Sequence, residues 1–307
     1  MTEEKIITVP ETDVKPEITD KKKKKKKKEF RRVKSVSPMT MIVPYIMKNR
    51  IGAQNMFSDA FDVEKLDEYI KEKKAQGLER FTYMHAIIAA YVRTISQRPA
   101  LNRFIRGQRI YTREHVEVSL DIKREMTLES PDTVVKVLIP KDATAEEIYK
   151  AFDSVIEEYR NSPGGDFDNT AKVLSYIPGL VLKFAIWFLN LLDYFGLIPG
   201  FLTKVSPFHC SFFITSMGSL GIPPIYHHLY DFGTCPSFCA FGAGRRVNEL
   251  DSKGNVVRKK YIDMNFVLDE RICDGFYYAS CFRIIRRCLR DPWSLDVPPE
   301  KVIEDIP

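Results

Sequence analysis

The sequence lacks several features that would place the protein outside the cytoplasm or at a metal centre. Residues 1–20 are polar and acidic and contain no apolar run of the kind found in secretory signal peptides. The six cysteines form no Cys-x-x-Cys pair and show no metal-ligand spacing, which predicts reduced thiols and no metal site. We therefore expect a cytoplasmic protein. The cysteines are Cys210, Cys235, Cys239, Cys273, Cys281 and Cys288.

Apolar periodicity is also absent from residues 1–35, which include eight consecutive lysines, Lys21–Lys28. Such a segment cannot bury enough apolar surface to offset the entropy lost on ordering, so we predict a disordered basic tail. Residues 36–307 show no internal repeat and are predicted to form one folded domain. The chain as a whole is 44% hydrophobic and 12% aromatic over 307 residues, as globular proteins are.

The positive charge of the chain is local. The net charge is +6, but residues 21–34 alone carry +10, so the rest of the chain carries about −4. The lysine run is consistent with a solubilising arm, or with attraction to anionic lipid headgroups at about 1 kcal/mol per basic residue. No aromatic residues or Gly-Arg repeats interleave with the lysines, which argues against specific nucleic-acid recognition.

Beyond residue 40 the pattern predicts a mixed α/β domain. Helices are expected at 63–70 with Asp62 as its cap, from Thr82 to before Pro99, at 144–159 and at 276–289. Strands are expected at 57–61, near 104 and 110, at 115–122, 133–139, 211–216, 237–243, 245–250 and 256–268. A turn at 251–255 joins the last two strands as a hairpin.

The most informative segment is Asp269-Glu270-Arg271-Ile272-Cys273-Asp274-Gly275, between a strand-like run and an amphipathic helix. It resembles the D-H-R-x-x-D-G loop of chloramphenicol acetyltransferases and dihydrolipoyl acyltransferase catalytic domains. Three further stretches are similar to that family's P-E-L-N, T-F-T-I-S-N-L-G and L-G-V-G motifs, in the same order. They are 98–102, 211–221 and 241–244.

The resemblance implies a chloramphenicol acetyltransferase-like fold, a mixed β-sheet flanked by helices, over about residues 40–292. It also implies a homotrimer with active sites between subunits, and coenzyme A or an acyl-CoA as cosubstrate. Asp274 matches the aspartate that holds the loop, and Gly275 matches a glycine that permits close backbone approach. Ser216 and Gly218, with Gly275, are the candidate cofactor-binding residues. Because no lipoyl domain precedes the body, we expect a bare catalytic domain.

The loop differs from the family at its catalytic position, because Glu270 stands where the family has histidine. Histidine accepts and returns protons near neutral pH, whereas the reference pKa of glutamate is near 4.3. Glu270 is therefore either a salt-bridge residue of a loop kept for structure, or a base whose pKa is raised by burial. In a third alternative the base lies elsewhere.

Tyr226, His227 and His228 are the candidates for that third alternative. They lie near the position of the family's T-P-I-I-N motif, whose hydroxyl stabilises the oxyanion. Here Pro223 precedes Pro224, so that hydroxyl is missing, and Tyr226 or a histidine would have to replace it as donor. Two adjacent histidines are also typical of an ordinary polar loop.

Two other residues have a simpler structural interpretation beside a catalytic one. Cys273 lies in the loop and invites an acyl-enzyme hypothesis, but a buried structural thiol is the simpler interpretation. His85 lies on an apolar helix, where a core histidine is expected.

Residues 168–207 form an apolar insertion where the family has a short connection. Ile-Pro-Gly breaks bracket a predicted helix from Leu180 to Leu197, about 27 Å long. Lys183, Asn190 and Asp193 fall along one stripe of it. The helix could pack on the body or on another subunit, lie in a membrane interface or cover a long acyl chain, whereas spanning would bury Asp193 in hydrocarbon.

Two functions remain open from the sequence. One is a CoA-dependent acyltransferase, related to the acyltransferases of 2-oxoacid dehydrogenase complexes, with altered or lost chemistry. The other is a non-catalytic trimeric binding or scaffold module. In either case Lys21–Lys28 and the 177–202 segment could bring the protein to an anionic membrane surface.

Overall fold

A mixed sheet of seven strands forms the centre of the computed structural model, which describes residues 29–123, 132–161 and 172–307. The strand order is β2-β10-β8-β7-β5-β6, and β9 pairs with the first half of β10. The β5–β7 and β7–β8 pairs are parallel, and the other pairs are antiparallel. A smaller sheet has the order β1-β4-β3. The strands are β1 (Phe30–Arg32), β2 (Gln54–Asp62), β3 (Arg103–Arg106), β4 (Arg109–Arg113), β5 (Val116–Lys123), β6 (Asp132–Ile139), β7 (Phe212–Ser216), β8 (Ser237–Phe241), β9 (Arg245–Leu250) and β10 (Val256–Asp269).

One face of the large sheet carries the main core. Alternate β10 residues Met264, Phe266 and Leu268 point to this face, where α3 and α7 pack together. The ring of Tyr91 on α3 stacks on Phe212 with 3.8 Å between centroids. The helices are α1 (Pro38–Ile46), α2 (Glu64–Ala75), α3 (Tyr83–Gln97), α4 (Ala145–Asn161), α5 (Gly179–Tyr194), α6 (Gly200–Val205) and α7 (Gly275–Arg290).

The other face of the sheet carries a smaller apolar cluster. Phe213, Phe238 and Val267 point to it, because strand residues alternate between faces. Residues 224–235 cover this side and contribute Leu229 to the cluster. The Asn265 side chain donates a hydrogen bond to the Pro224 carbonyl at 3.0 Å, which fixes one end of the covering segment to β10.

The predicted helices and strands between α2 and α7 are confirmed, with shifts at their ends, but α6 was not predicted. Val63, not the predicted Asp62, occupies the cap position of α2, and the Asp62 side chain accepts a hydrogen bond from the Glu64 N–H at 3.2 Å from one residue before it. The prediction missed α1, whose sequence contains Pro44 inside the helix. The predicted tail also extends too far. Residues 30–32 pair with β4, and Val33 is buried, so this part of the predicted tail is folded. Residues 1–28, with the lysine run, lie outside the described residues.

The apolar insertion is helical where it is described. α5 ends at Tyr194, earlier than predicted, and Gly196 adopts a positive φ of 71° just beyond it. Asp193 is buried against the body, while Lys183 and Asn190 are exposed. Within the described ranges, we find no helix with the length and apolar character needed to cross a bilayer.

The start of α3 explains the role of His85. Its Nδ1 atom lies 3.1 Å from the backbone nitrogen of Thr82 and accepts that hydrogen bond. The ring stacks on Phe81 with a centroid distance of 5.3 Å. Burial lowers the pKa of His85 to about 4. His85 is therefore a neutral core histidine that closes the first turn of the helix.

This arrangement predicts acid sensitivity from His85. Between pH about 6.5 and 4 the unfolded chain takes up a proton that the native side chain does not, so stability present above pH 6.5 falls as the pH drops. We expect His85→Gln to remove up to about 1.4 kcal/mol per pH unit from the slope of unfolding free energy in this window. Urea titrations from pH 4 to 7.5 measure it. His115→Gln, at an exposed histidine, is the control, and an unchanged slope in His85→Gln would contradict the assignment.

Candidate active site

The loop at 269–275 borders a cavity of about 930 Å³. Glu270 and Asp274 line one side of it. The opposite sides are formed by α1, by the turn after α3 and by residues 303–306 near the C-terminus. The α1 residues that line the cavity are Met39, Thr40 and Val43, and Met47 lines it just beyond the end of the helix. This volume is in the range of small-molecule pockets, and its walls combine apolar side chains with a few charges.

A buried ion pair holds the loop in place. Arg271 donates two hydrogen bonds to Asp269, at 2.8 and 2.7 Å, and both side chains are nearly inaccessible to solvent. Arg50 places its Nε 3.5 Å from the same carboxylate and donates to the carbonyls of Tyr230 at 2.6 Å and Gly233 at 2.9 Å. Burial lowers the pKa of Arg50, and Asp269 counters that shift. Two arginines and one carboxylate thus fasten the loop to the 230–233 turn.

Arg50 was missed by the sequence analysis, because nothing in its local sequence marks it. The Asp269–Arg271 pair, by contrast, is part of the loop motif itself.

Glu270 is the one loop carboxylate that this scaffold leaves open. Its backbone N–H donates to the Ala53 carbonyl at 2.9 Å, which fixes the position of the residue. Its side chain is half-buried and borders the cavity. Among the residues that the structure describes, the Glu270 carboxylate has no hydrogen bond and no ion pair. The structural salt bridge that was one alternative for Glu270 is made instead by Asp269 and Arg271.

Asp274 caps the helix that follows the loop, and the loop-holding role that the resemblance implies for it stays a prediction. Its side chain accepts a hydrogen bond from the Tyr277 N–H at 2.8 Å and so caps the start of α7. An added Cβ on Gly275 would meet no atom within 4 Å in this chain. The close approach expected at Gly275 is thus not made within one chain, and stays a prediction for a ligand or another subunit.

Cys273 has the environment of a structural thiol. It is 8% exposed, and burial raises its pKa well above the usual range of a cysteine. A thiol in that state carries almost no thiolate at neutral pH, so Cys273 is a poor nucleophile. No group of three or more potential metal ligands occurs within residues 29–123, 132–161 and 172–307.

The other predicted site residues lie away from the loop within one chain. Ser216 pairs with Phe241 at one end of β8, whereas β10 pairs Leu268 with Ser237 at the other end. The two ends of β8 are about 13 Å apart, from the rise per residue of a strand. Ser216, and Gly218 two residues later, are therefore at the opposite end of the strands from Glu270.

Tyr226, His227 and His228 lie near the start of the covering segment, residues 224–235. The ring of His227 stacks on Phe238 with 4.1 Å between centroids, and its Nδ1 donates to the His228 carbonyl at 2.9 Å. Burial lowers the pKa of His227. None of the three lines the cavity beside Glu270. Within one chain, then, the structure brings together Glu270, Asp274 and Gly275 but not the histidine pair.

The Pro223-Pro224 turn at the start of that segment explains why residue 242 is a glycine. A Cβ on Gly242 would lie 2.6 Å from Pro224 Cδ, so only glycine fits beneath the Pro223-Pro224 turn. The Phe241-Gly242-Ala243-Gly244 stretch therefore marks where this turn crosses the end of β8.

A buried ion pair with a C-terminal residue stabilises the cavity wall. Arg103 on β3 donates to both carboxylate oxygens of Asp305, at 2.7 and 2.6 Å, and both side chains are buried. Arg103 also donates to the Ile272 carbonyl in the loop, at 3.4 Å. The C-terminal segment, β3 and the loop thus share one arginine.

No family model matches this sequence, and no curated protein does. Solved structures do match. A probable dihydrolipoamide acetyltransferase from Listeria monocytogenes superposes with a TM-score of 0.54 at 13% identity, over 82% of this chain and 89% of that one. The dihydrolipoamide acetyltransferase of Azotobacter vinelandii gives 0.54 at 11% identity, over 84% and 88%. The cubic core of the pyruvate dehydrogenase multienzyme complex gives 0.50 at 12% identity, over 85% and 93%.

The chain has the fold of dihydrolipoamide acetyltransferase catalytic domains. The predicted acyltransferase fold is thereby confirmed. In the Azotobacter enzyme, a serine, a histidine and an asparagine have been investigated for their roles in the catalytic mechanism, and the last two are four positions apart.

The Arg103–Asp305 pair predicts a stability test of the cavity wall. Asp305→Ala leaves the Arg103 charge buried without a counter-charge, and we expect a loss of about 3–5 kcal/mol of unfolding free energy. The double variant Arg103→Met/Asp305→Leu removes both charges, so its loss of unfolding free energy should be clearly smaller than that of the single variant. Urea denaturation followed by circular dichroism measures both. Equal losses in the two variants would show that packing, not the unpaired charge, sets the cost.

Proposed function

We propose that the protein is a CoA-dependent acyltransferase-like protein in which Glu270 takes the place of the family's histidine beside the acyl acceptor. The observation that supports this most directly is the Glu270 carboxylate, which borders the 930 Å³ cavity and has no partner among the described residues, on a loop that Asp269 and Arg271 already hold. A residue kept only to hold the loop would be expected to pair with a charge. A carboxylate left open to a cavity is available to a ligand.

The chemistry proposed for Glu270 is proton transfer at the acceptor. As the acceptor's sulfur or oxygen attacks the thioester carbonyl, its proton passes to the carboxylate, and CoA leaves as the thiol after taking up a proton. Burial of a carboxylate favours proton uptake, so closure of the cavity by the acyl-CoA would make this transfer easier. The fold comparison supports the acyl-transfer class, since the similar structures include acetyltransferases.

A homotrimer is part of this proposal. A cubic assembly contains threefold axes, and the cubic core of the pyruvate dehydrogenase complex shares this fold. Within one chain Tyr226, His227 and His228 lie away from the Glu270 cavity. In a trimer, the exposed Tyr226 or His228 of a neighbouring protomer would reach the cavity and donate to the oxyanion.

A second candidate function is a non-catalytic module that binds the same acyl thioester. The observation in its favour is the Pro223-Pro224 turn, which carries no hydroxyl where the resemblance implies an oxyanion donor. Such a module would keep ligand binding in the cavity and lose turnover.

The first test measures turnover and binding together. Purified protein is given a panel of acyl-CoAs with thiol and alcohol acceptors, released CoA is quantified by mass spectrometry, and acyl-CoA affinity is measured by calorimetry. We expect Glu270→Gln to lower kcat by at least about 100-fold, with affinity changed little, because the amide cannot accept the proton. Glu68→Gln, at an exposed glutamate on α2, is the matched control and should leave both unchanged.

A companion variant, Glu270→His, recreates the D-H-R loop. If proton transfer occurs at this position, its activity should follow the titration of an imidazole near pH 6.5 in place of a carboxylate. Binding without turnover in the wild-type protein would select the non-catalytic module. Absence of acyl-CoA binding in every variant would overturn both functions.

A further inference from the structure

Helix α5 presents its apolar face outward. Leu180, Phe184 and Trp187 are 85%, 62% and 56% exposed, and Phe188 and Leu191 are also exposed. At 100° per residue these side chains share one side of the helix, which is the spacing of an amphipathic helix that buries its apolar face. A contiguous exposed patch of large apolar side chains is rare on soluble monomers and marks a contact surface.

Polar contacts fix the C-terminal end of α5. Asp193 lies 3.0 Å from Arg106 Nε and 3.5 Å from His209 Nε2, and it is buried. Burial alone would raise the pKa of Asp193, but His209 and Arg106 hold it below its usual value. The Tyr194 hydroxyl donates to the Gln108 side chain at 2.9 Å. These contacts hold the end of the helix to the body, while the exposed apolar residues lie on the part of the helix surface that faces away from it.

The lysine run joins the fold beside this helix. Glu29 and Phe30 border a second cavity, of about 500 Å³, together with Gly196, Gly200 and Lys204 of the α5–α6 segment. Lys28 precedes Glu29 directly, so the eight lysines are attached within about 30 Å of Glu29 even at full extension. The attachment point of this dense positive charge and the residues just after α5 therefore border the same cavity.

We infer that this side is a docking surface for an anionic lipid bilayer, with α5 in the interface and Lys21–Lys28 on the headgroups. With 16 residues α5 is about 24 Å long, shorter than the hydrocarbon thickness of about 30 Å, which suits a helix lying in the membrane plane. Trp187 and Tyr194 are residue types that favour the interface. Apolar insertion and electrostatic attraction are each weak alone and act together in such anchors.

The experiment uses the full chain with two kinds of vesicle. One is neutral phosphatidylcholine alone, and the other also contains about 30% anionic phosphatidylglycerol. We expect flotation with the anionic vesicles only, and loss of binding as salt rises. Phe184→Ser/Trp187→Ser should weaken partitioning by at least about tenfold, and Lys21–Lys28 replaced by glutamine should do the same. The control is Leu250→Ser/Val256→Ser, which removes two apolar residues that are each 70% exposed on the β9–β10 hairpin.

Fluorescence gives an independent readout, because the chain has two tryptophans. In the Trp293→Phe variant, the emission of Trp187 should shift to the blue on addition of anionic vesicles and be quenched by brominated acyl chains. A blue-shifted Trp187 without vesicles, with a dimer or trimer that Phe184→Ser disrupts, would assign the face to a second copy and overturn the inference. Vesicle binding that the α5 variant does not weaken would overturn it too. Neither outcome bears on whether Glu270 supports acyl transfer.

Discussion

The buried charge cluster at the end of β10 is the constraint on which the candidate site depends. Asp269 is the last residue of β10, and its carboxylate is shared by Arg271 in the loop and Arg50 before β2. Removing ions from water is expensive, so such a cluster is stable only when every partner is in place. One consequence is rigidity: the loop, the start of β2 and the 230–233 turn occupy fixed positions relative to one another. The other is that Glu270, between two paired residues, has no partner among the residues that the structure describes.

Polar contacts also position α5 in the apolar insertion. The contacts of Asp193 with Arg106 and His209, and of Tyr194 with Gln108, hold the C-terminal end of α5 to the body. Leu180, Phe184 and Trp187 stay exposed on the helix. The segment therefore adds an exposed apolar surface to the acyltransferase fold.

The sequence predicted the parts of this structure that are encoded locally. Alternating apolar residues identified β10, and the Thr82 position identified the start of α3. The loop motif identified the fold itself, since its residues are adjacent in sequence. Contacts between distant segments were not accessible in the same way. Arg50 is more than 200 positions from Asp269, and no local pattern links them.

The same limit applies to the residues that the sequence singled out. The stripe of Lys183, Asn190 and Asp193 on α5 was predicted correctly as a stripe, but only Asp193 is buried, because its partners Arg106 and His209 come from other elements. Ser216 and Gly218 were grouped with Gly275 on the resemblance, yet pairing along β8 separates them from the loop within one chain.

The proposal that the loop cavity is an acyl-thioester site can be tested by a crystal structure with a thioether analogue of acyl-CoA, which cannot react. If the proposal is correct, the pantetheine arm lies in the cavity between α1 and residues 303–306, and the Glu270 carboxylate is within hydrogen-bonding reach, about 2.6–3.2 Å, of the acceptor position beside the acyl carbon. An analogue bound elsewhere on the protein, or a Glu270 side chain turned away into an ion pair with another protomer, would contradict it.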